Sequence, residues 1–361
     1  MSVAGRARPG RRSARSRGAR AASGVVFRVA ASPRIGFGHL VRAIHLAGAL
    51  DIPPRVSLRG TAAAADTARD LGVDILPAAR AAIVRPDLAL LVIDDPSRTA
   101  AAPWLRAARR AGVPVASFHD VGIAPLASDL AIDGSLGARR IEGLGVDAAA
   151  CRLGPAYAVL SPGLGRPRRP RARTASPAVT VLIGLGGGQQ AAAGASIARH
   201  LRTLLDRVSG PTRVQVLLSL GLPRSVHAGR TALPAGIDVV PPERFREALA
   251  QATVAVVAGG TTLYEACALG TPVVAVPVVP AQATTVRRFV RAGLATGVRS
   301  RARVGSDAWG RSAAAALLGL LADAGRRDEQ SRRGQRAIDG AGAARVARAI
   351  DALVGDRAGR P

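Results

Sequence analysis

The chain has 361 residues, enough for two domains of ordinary size, each with its own core. Apolar residues make up 48% but aromatics only 2%, so the cores must be built from Ala, Val, Leu and Ile, the mix of layered α/β proteins. The net charge of +27 is carried by arginine alone, with no lysine; lacking interleaved aromatics or a recognition motif it implies no specific nucleic-acid partner, and no apolar run approaches the roughly 20 residues of a transmembrane segment.

Residues 1–24 carry arginines from Arg6 to Arg20 but no apolar h-region, so a disordered basic tail is expected and a secretory signal is not, which suggests a cytoplasmic protein. Residues 25–30 are β-branched and apolar, and predict a strand. It runs into Ser32-Pro33-Arg34-Ile35-Gly36-Phe37-Gly38-His39, a glycine-bracketed turn, and apolar residues at helical spacing follow up to Leu50. Strand, glycine turn and helix make the first unit of a Rossmann-like sheet. Strands at 56–58 and 73–76 flank an alanine-rich helix at 62–71. The continuous apolar run 88–93, ending at Asp94-Asp95-Pro96, suits a parallel strand buried on both faces. A helix at 100–111 and strands at 113–118 and 130–132 continue the alternation, and a first Rossmann-like domain is expected over 25–162.

Residues 163–177 are rich in Pro, Gly and Arg and read as a linker. A second domain is expected over 178–354, with 355–361 as a tail. Its first strand, 179–183, enters Gly184-Leu185-Gly186-Gly187-Gly188-Gln189, and a helix follows at 191–208. Further strands are predicted at 214–218, 239–240, 254–258 and 273–276, and helices at 243–251 and 262–269. Residues 307–354 look helical, with a charged interruption at 326–334.

The chemistry-bearing residues sit at the turns. His39 stands at a helix N-terminus, where the dipole lowers an imidazole's pKa and keeps it neutral, fit to accept a proton; Arg42 lies on the same helix face. In the second domain the glycines after residue 183 let backbone amides approach phosphate oxygens. Gly259-Gly260-Thr261-Thr262-Leu263-Tyr264-Glu265 places amides and hydroxyls suited to a diphosphate one turn before a carboxylate suited to a ribose diol. The same residues also fit a helix cap by Thr261 or Thr262, with Glu265 the capping-box partner of Thr262. No spacing points to a metal site, a P-loop or a Gly-x-Ser-x-Gly nucleophile, so neither a metal nor a cofactor is called for. Cys151 and Cys267 read as small apolar residues. His45, His200 and His227 look like surface positions, and His119, at a strand end beside Asp120, is a lesser candidate for the cleft.

Ile35-Gly36-Phe37-Gly38-His39-Leu40-Val41-Arg42, Asp94, Leu153-Gly154-Pro155-Ala156-Tyr157, the turn after Ile183, and the stretch from Gly259 to Pro272 together resemble the PseG/SpsG family. These are UDP-sugar hydrolases of pseudaminic-acid synthesis and their spore-coat polysaccharide relatives, similar in turn to the MurG-type GT-B glycosyltransferases. The likeness spans residues 25–299. It implies an α/β fold of GT-B type, two Rossmann-like domains facing a central cleft. It further implies that the second domain binds UDP, with Gly186, Gly187, Thr261 and Thr262 near the diphosphate, Glu265 at the ribose, and Gly260 among the substrate-binding residues. His39 matches the histidine that activates water against the anomeric carbon, and Gly36, Gly38, Arg42, Asp94 and Gln282 complete the substrate-binding set. Ala30, Pro96 and Ala281 stand where the family carries polar groups. The expected activity is metal-independent hydrolysis of a UDP-sugar; glycosyl transfer, or UDP-sugar binding with weak catalysis, are the alternatives. The resemblance names no oligomeric partner.

Overall fold

The computed structural model describes residues 24–77, 79–122, 126–139, 150–164, 179–186, 190–207, 214–221, 233 and 235–358. The expected linker from residue 165 onward, His227, Gly187 and the basic tail before Gly24 lie outside them. Two parallel sheets form the frame. The first contains β1 (Val25–Ala31), β2 (Arg55–Gly60), β3 (Asp74–Ile75), β4 (Leu90–Asp94), β5 (Val115–Phe118), β6 (Leu130–Asp133) and β7 (Cys151–Leu153), in the order β3-β2-β1-β4-β5-β6-β7. Every residue of β4 is buried, which explains why its sequence shows no polar alternation. Helices α1 (Gly38–Leu50), α2 (Ala62–Asp70), α3 (Arg80–Ile83) and α4 (Arg98–Arg110) cover the two faces. Leu40, Leu46 and Ala47 of α1 pack on one side, and Trp104 and Leu105 of α4 on the other.

The second sheet holds β8 (Val179–Gly184), β9 (Val214–Ser219), β10 (Ile237–Val240), β11 (Val254–Ala258), β12 (Val273–Val276) and β13 (Thr296–Gly297), in the order β10-β9-β8-β11-β12-β13. Around it lie α5 (Ala191–Asp206), α6 (Phe245–Gln251), α7 (Thr261–Leu269), α8 (Ala283–Arg291), α9 (Asp307–Ala322) and α10 (Ala324–Ala337). In both sheets the strand order reverses beside the first strand, between β1 and β4 and between β8 and β11. Open parallel sheets bind ligands at the carboxyl ends of their strands at such switch points. No helix among the described residues is long and apolar enough to cross a membrane.

The expected charged interruption at 326–334 is instead the body of α10. Its charges pair along the helix, Glu329 with Arg332 and Arg333, while Gln330 turns inward to accept from Val273 N–H and donate to Thr296 Oγ1. The break falls at Asp323, whose extended backbone and carboxylate cap α10 through Arg326 N–H. The last helix, α11 (Gly342–Ala358), leaves the second sheet altogether. Its Val346, Ala347 and Ile350 join the core around α1, so the chain ends on the domain where it began. Going the other way, Ala158, Leu160 and Leu164 already belong to the second domain's core. These two crossings fix the relative placement of the sheets. Gly342 sits where they meet: a methyl group there would overlap the Ala158 carbonyl. Gly342→Ala is therefore expected to lower stability by about 1–3 kcal/mol through overpacking, read as a reduced denaturation midpoint with the m-value unchanged.

Candidate active site

The turn after β1 is closed by its own atoms. Ser32 O accepts from Gly36 N–H at 2.7 Å and Ser32 Oγ accepts from Ile35 N–H at 3.0 Å. Gly36 takes φ +92°, a left-handed value that a side chain would strain. Gly38 differs from the sequence expectation. A methyl there would make only ordinary contact, at 3.7 Å, with Thr261 Oγ1, so Gly38 marks where the two domains approach rather than a turn requirement. The α1 N-terminus, at Phe37, carries no side-chain cap, and His39 occupies the first turn.

Three strand ends of the first sheet converge on His39. Asp94, at the end of β4 and 3% exposed, accepts from His39 Nδ1 at 2.8 Å. Because a carboxylate can only accept, this bond puts the proton on Nδ1 and leaves the Nε2 lone pair as the basic site. Arg42, one turn along α1, donates to Asp94 from Nε (2.7 Å) and Nη2 (2.6 Å), and to Asp120 from Nη1 (2.7 Å) and Nη2 (2.9 Å). Its guanidinium stacks 4.7 Å above the Phe118 ring. All three of its nitrogens are thus spent on protein carboxylates, and Arg42 and Asp94 hold the histidine instead of offering free groups to a ligand. Asp120 follows β5 and was missed as a site residue; its position just past a strand end was the available signal. Val121 beside it is a β-branched residue at φ +58°, and its N–H is anchored on Ser135 Oγ at 2.9 Å.

These charges reverse one expectation. Burial pulls the His39 pKa down, but the Asp94 charge and hydrogen bond more than offset it, so the net shift is upward, against the lowering expected from the helix dipole. Burial pushes Asp94 upward, and Arg42 and His39 overcome it, holding the carboxyl well below its usual range. His39, Asp94 and Asp120 also place three ligand-type atoms within 4.8 Å of one another. No spacing in the sequence suggested this group. The Arg42 guanidinium already engages both carboxylates, so the arrangement is an ion-pair network closed by the protein's own cation.

The second domain faces this network with the start of α7. Its N-cap is Gly260, without a side-chain cap, so neither Thr261 nor Thr262 caps the helix and Glu265 closes no capping box. No N-cap side chain engages the first amides of α7, the arrangement that lets a helix N-terminus receive an anion. Gly186 (φ +90°) lies nearby after β8, and Gln282 spends Oε1 on Val278 N–H at 3.0 Å while its Nε2 lies towards Gly260. Glu265 is half-buried and accepts from Ser161 N–H at 3.4 Å; burial raises its pKa, with Ser161 and Arg246 partly offsetting.

A cavity of about 560 Å³ runs between the domains and is lined by every predicted site residue the structure describes: Gly36, Gly38, His39, Arg42, Asp94, Gly186, Gly260, Thr261, Thr262, Glu265 and Gln282. That volume suits a small organic ligand. Pro96 and Ala281 line it too, whereas Ala30 is wholly buried in β1. Two of the remaining histidines, His45 and His119, fall out differently from expectation. His45 is no surface residue but lines the cavity. His119, the lesser candidate, is buried behind β5 on Ser117 Oγ at 2.7 Å, because the residue after β5 turns inward and Asp120 faces the site. His200 bonds Asp307 at 2.7 Å, between α5 and α9. Cys267 is buried, its thiol pushed up to about 12 by desolvation, and both cysteines are free.

No protein-family model matches the sequence, and no curated protein does. Solved structures match over nearly the whole chain. MurG of Acinetobacter baumannii superposes with a TM-score of 0.60 at 15% identity, covering 90% of this chain and 99% of that one. MnaA of S. aureus, in its co-structure with UDP, gives 0.60 at 12% identity over 93% and 98%. CalG4, the calicheamicin glycosyltransferase, gives 0.56 at 19% identity over 92% and 98%. With two parallel-sheet Rossmann-like domains facing one cleft and neighbours of this kind, the chain has the GT-B fold.

Proposed function

We propose that the chain is a metal-independent enzyme that takes a UDP-sugar and transfers its glycosyl group to an acceptor hydroxyl, with His39 as base. The observation that carries this reading is the apposition of a carboxylate-oriented histidine and an uncapped helix N-terminus across one cavity, with Gly38 and Thr261 in near contact. In this reading His39 Nε2 takes the acceptor proton and the acceptor oxygen bonds to the anomeric carbon. The bond from that carbon to the diphosphate breaks, and UDP leaves with its charge on the α7 amides, Thr261, Thr262 and the Gly186 turn. The names of the structural neighbours, CalG4 a glycosyltransferase and MnaA solved with UDP, favour transfer over the hydrolysis put first by the sequence.

Hydrolysis stays as the second reading, with water as acceptor, on the likeness of residues 35–42 and 259–272 to PseG/SpsG. Pro96 and Ala281 put apolar surface beside the reacting end, which argues for a substrate other than that family's diacetamido sugar. Incubation with a panel of UDP-sugars, with and without a polysaccharide or lipid-linked acceptor, separates the readings by when UDP appears. Release only with acceptor supports transfer, release without it supports hydrolysis, and UDP binding with no turnover supports a binding protein. Absence of UDP binding by calorimetry overturns all three. Glu265→Ala should weaken UDP binding by about 1–3 kcal/mol, the usual loss for hydrogen bonds to a charged group, a shift the same calorimetry reads.

A further inference from the structure

Among the described residues, His45 is the one cavity-lining histidine to which neither the sequence reading nor the proposed reaction gives a part. It lies on α1 six residues beyond His39, so the two rings are about 9 Å apart along the helix axis at 1.5 Å per residue. Its Nδ1 is sealed from solvent and has no hydrogen-bond partner among the described residues. Nδ1 therefore has no acceptor for a proton, which favours the tautomer protonated at Nε2 on a residue that lines the cavity. Burial first, then the Arg246 charge, lower its pKa to about 4, so the ring is neutral at physiological pH.

Arg246 acts on two groups at once. It lowers His45 from α1 and Glu265 from α7, and it donates to Ser161 Oγ at 3.0 Å, the residue whose N–H reaches Glu265. His45, Glu265, Arg246 and Ser161 all line the cavity, and they come from both domains. An N–H donor and a carboxylate acceptor facing one space are the complementary pair for a vicinal diol. Nε2 is not among the sealed atoms and carries no bond among the described residues, so it is the nitrogen a ligand can reach.

Resting on the UDP-sugar reading above, we propose that His45 is a nucleotide-specificity residue, donating from Nε2 to a ribose hydroxyl whose partner hydroxyl is held by Glu265. Helix α1 then spans the donor from end to end: His39 in its first turn meets the anomeric carbon, and His45 meets the ribose beyond the diphosphate. The nucleotide is gripped from both domains, so binding it draws the cleft together and presents the anomeric carbon to His39. UDP alone is enough to make this contact.

The test compares UDP with 2′,3′-dideoxy-UDP by calorimetry on wild type, His45→Ala and His45→Gln. His45→Ala should weaken UDP about tenfold, the loss of one buried hydrogen bond, and leave dideoxy-UDP within about twofold, a bound set by the usual scatter of additive effects. His45→Gln, whose amide N–H can replace Nε2–H, should recover most of the UDP affinity. Unchanged dideoxy-UDP binding also shows that the variants are folded. An equal loss for both nucleotides, or no loss for UDP, overturns the assignment while leaving the UDP-sugar reading intact. Failure of the wild type to bind UDP overturns that reading first, and this one with it.

Discussion

His39→Ala is expected to lower turnover of the UDP-sugar about 10²- to 10⁴-fold, the range for loss of a positioned general base, while UDP affinity measured by calorimetry changes little. The split follows from where the residue sits. His39 belongs to the first domain and faces the reacting end, whereas the amides of α7, Gly186 and Glu265 belong to the second. An interaction made only in the transition state lowers kcat without raising the dissociation constant of the leaving group. The protein should stay folded, because Asp94 and Asp120 keep their bonds to Arg42 when the imidazole is gone. Equal losses in kcat and UDP affinity, or an unfolded variant, would mean that His39 packs the turn and is not the base.

Asp94→Asn should produce the second large effect, on both catalysis and stability. Asp94 orients His39 through Nδ1 and holds its pKa up, so the wild-type rate should rise with pH as His39 loses its proton, along a limb displaced above the ordinary histidine value. In the variant the Asp94 charge is gone, and the limb should move to lower pH while the plateau falls. A merely structural role for Asp94 would lower the plateau and leave the limb in place. For stability, the variant removes the charge of buried Asp94, one of the two carboxylates that engage Arg42, a loss of about 3 kcal/mol for a broken buried pair, read at neutral pH by denaturant unfolding. Linkage gives the sign in the wild type. The Asp94 carboxyl is held below its unfolded value, so its contribution is fully present above that value and disappears as pH falls through the folded one. His39 is shifted upward and contributes in the opposite sense: its share is present below the unfolded histidine value and is lost as pH rises through the folded one.

The approach of the two domains makes these effects separable. Gly38 and Thr261 lie in near contact, yet each half of the site is built on its own rigid sheet. Changes on one side are therefore expected to alter chemistry and changes on the other to alter nucleotide affinity, apart from His45, which is placed to do the second from the first domain.

The sequence by itself determined the local units. Buried parallel strands such as β4 and β11 write continuous apolar runs, glycines at Gly36 and Gly186 declare left-handed turns, and 3.6-residue spacing declares α1 and α7, so two strand–turn–helix series and most site positions could be read directly. Where the signal depends on partners distant in the chain, it could not. The charged stretch of α10 looked like a break because the inward contact of Gln330, which ties the helix down, exists only once the helix lies on β12. Asp120 looked secondary to His119 until β5 fixed which of the two turns inward, and the upward shift of His39 needed Asp94 to arrive from 55 residues away. His45 looked like a surface residue because helical spacing says which face a residue shares, not what covers that face. Only the tertiary structure, by returning the last helix to the first core and setting the second domain across the cleft, decided that it looks into the cavity.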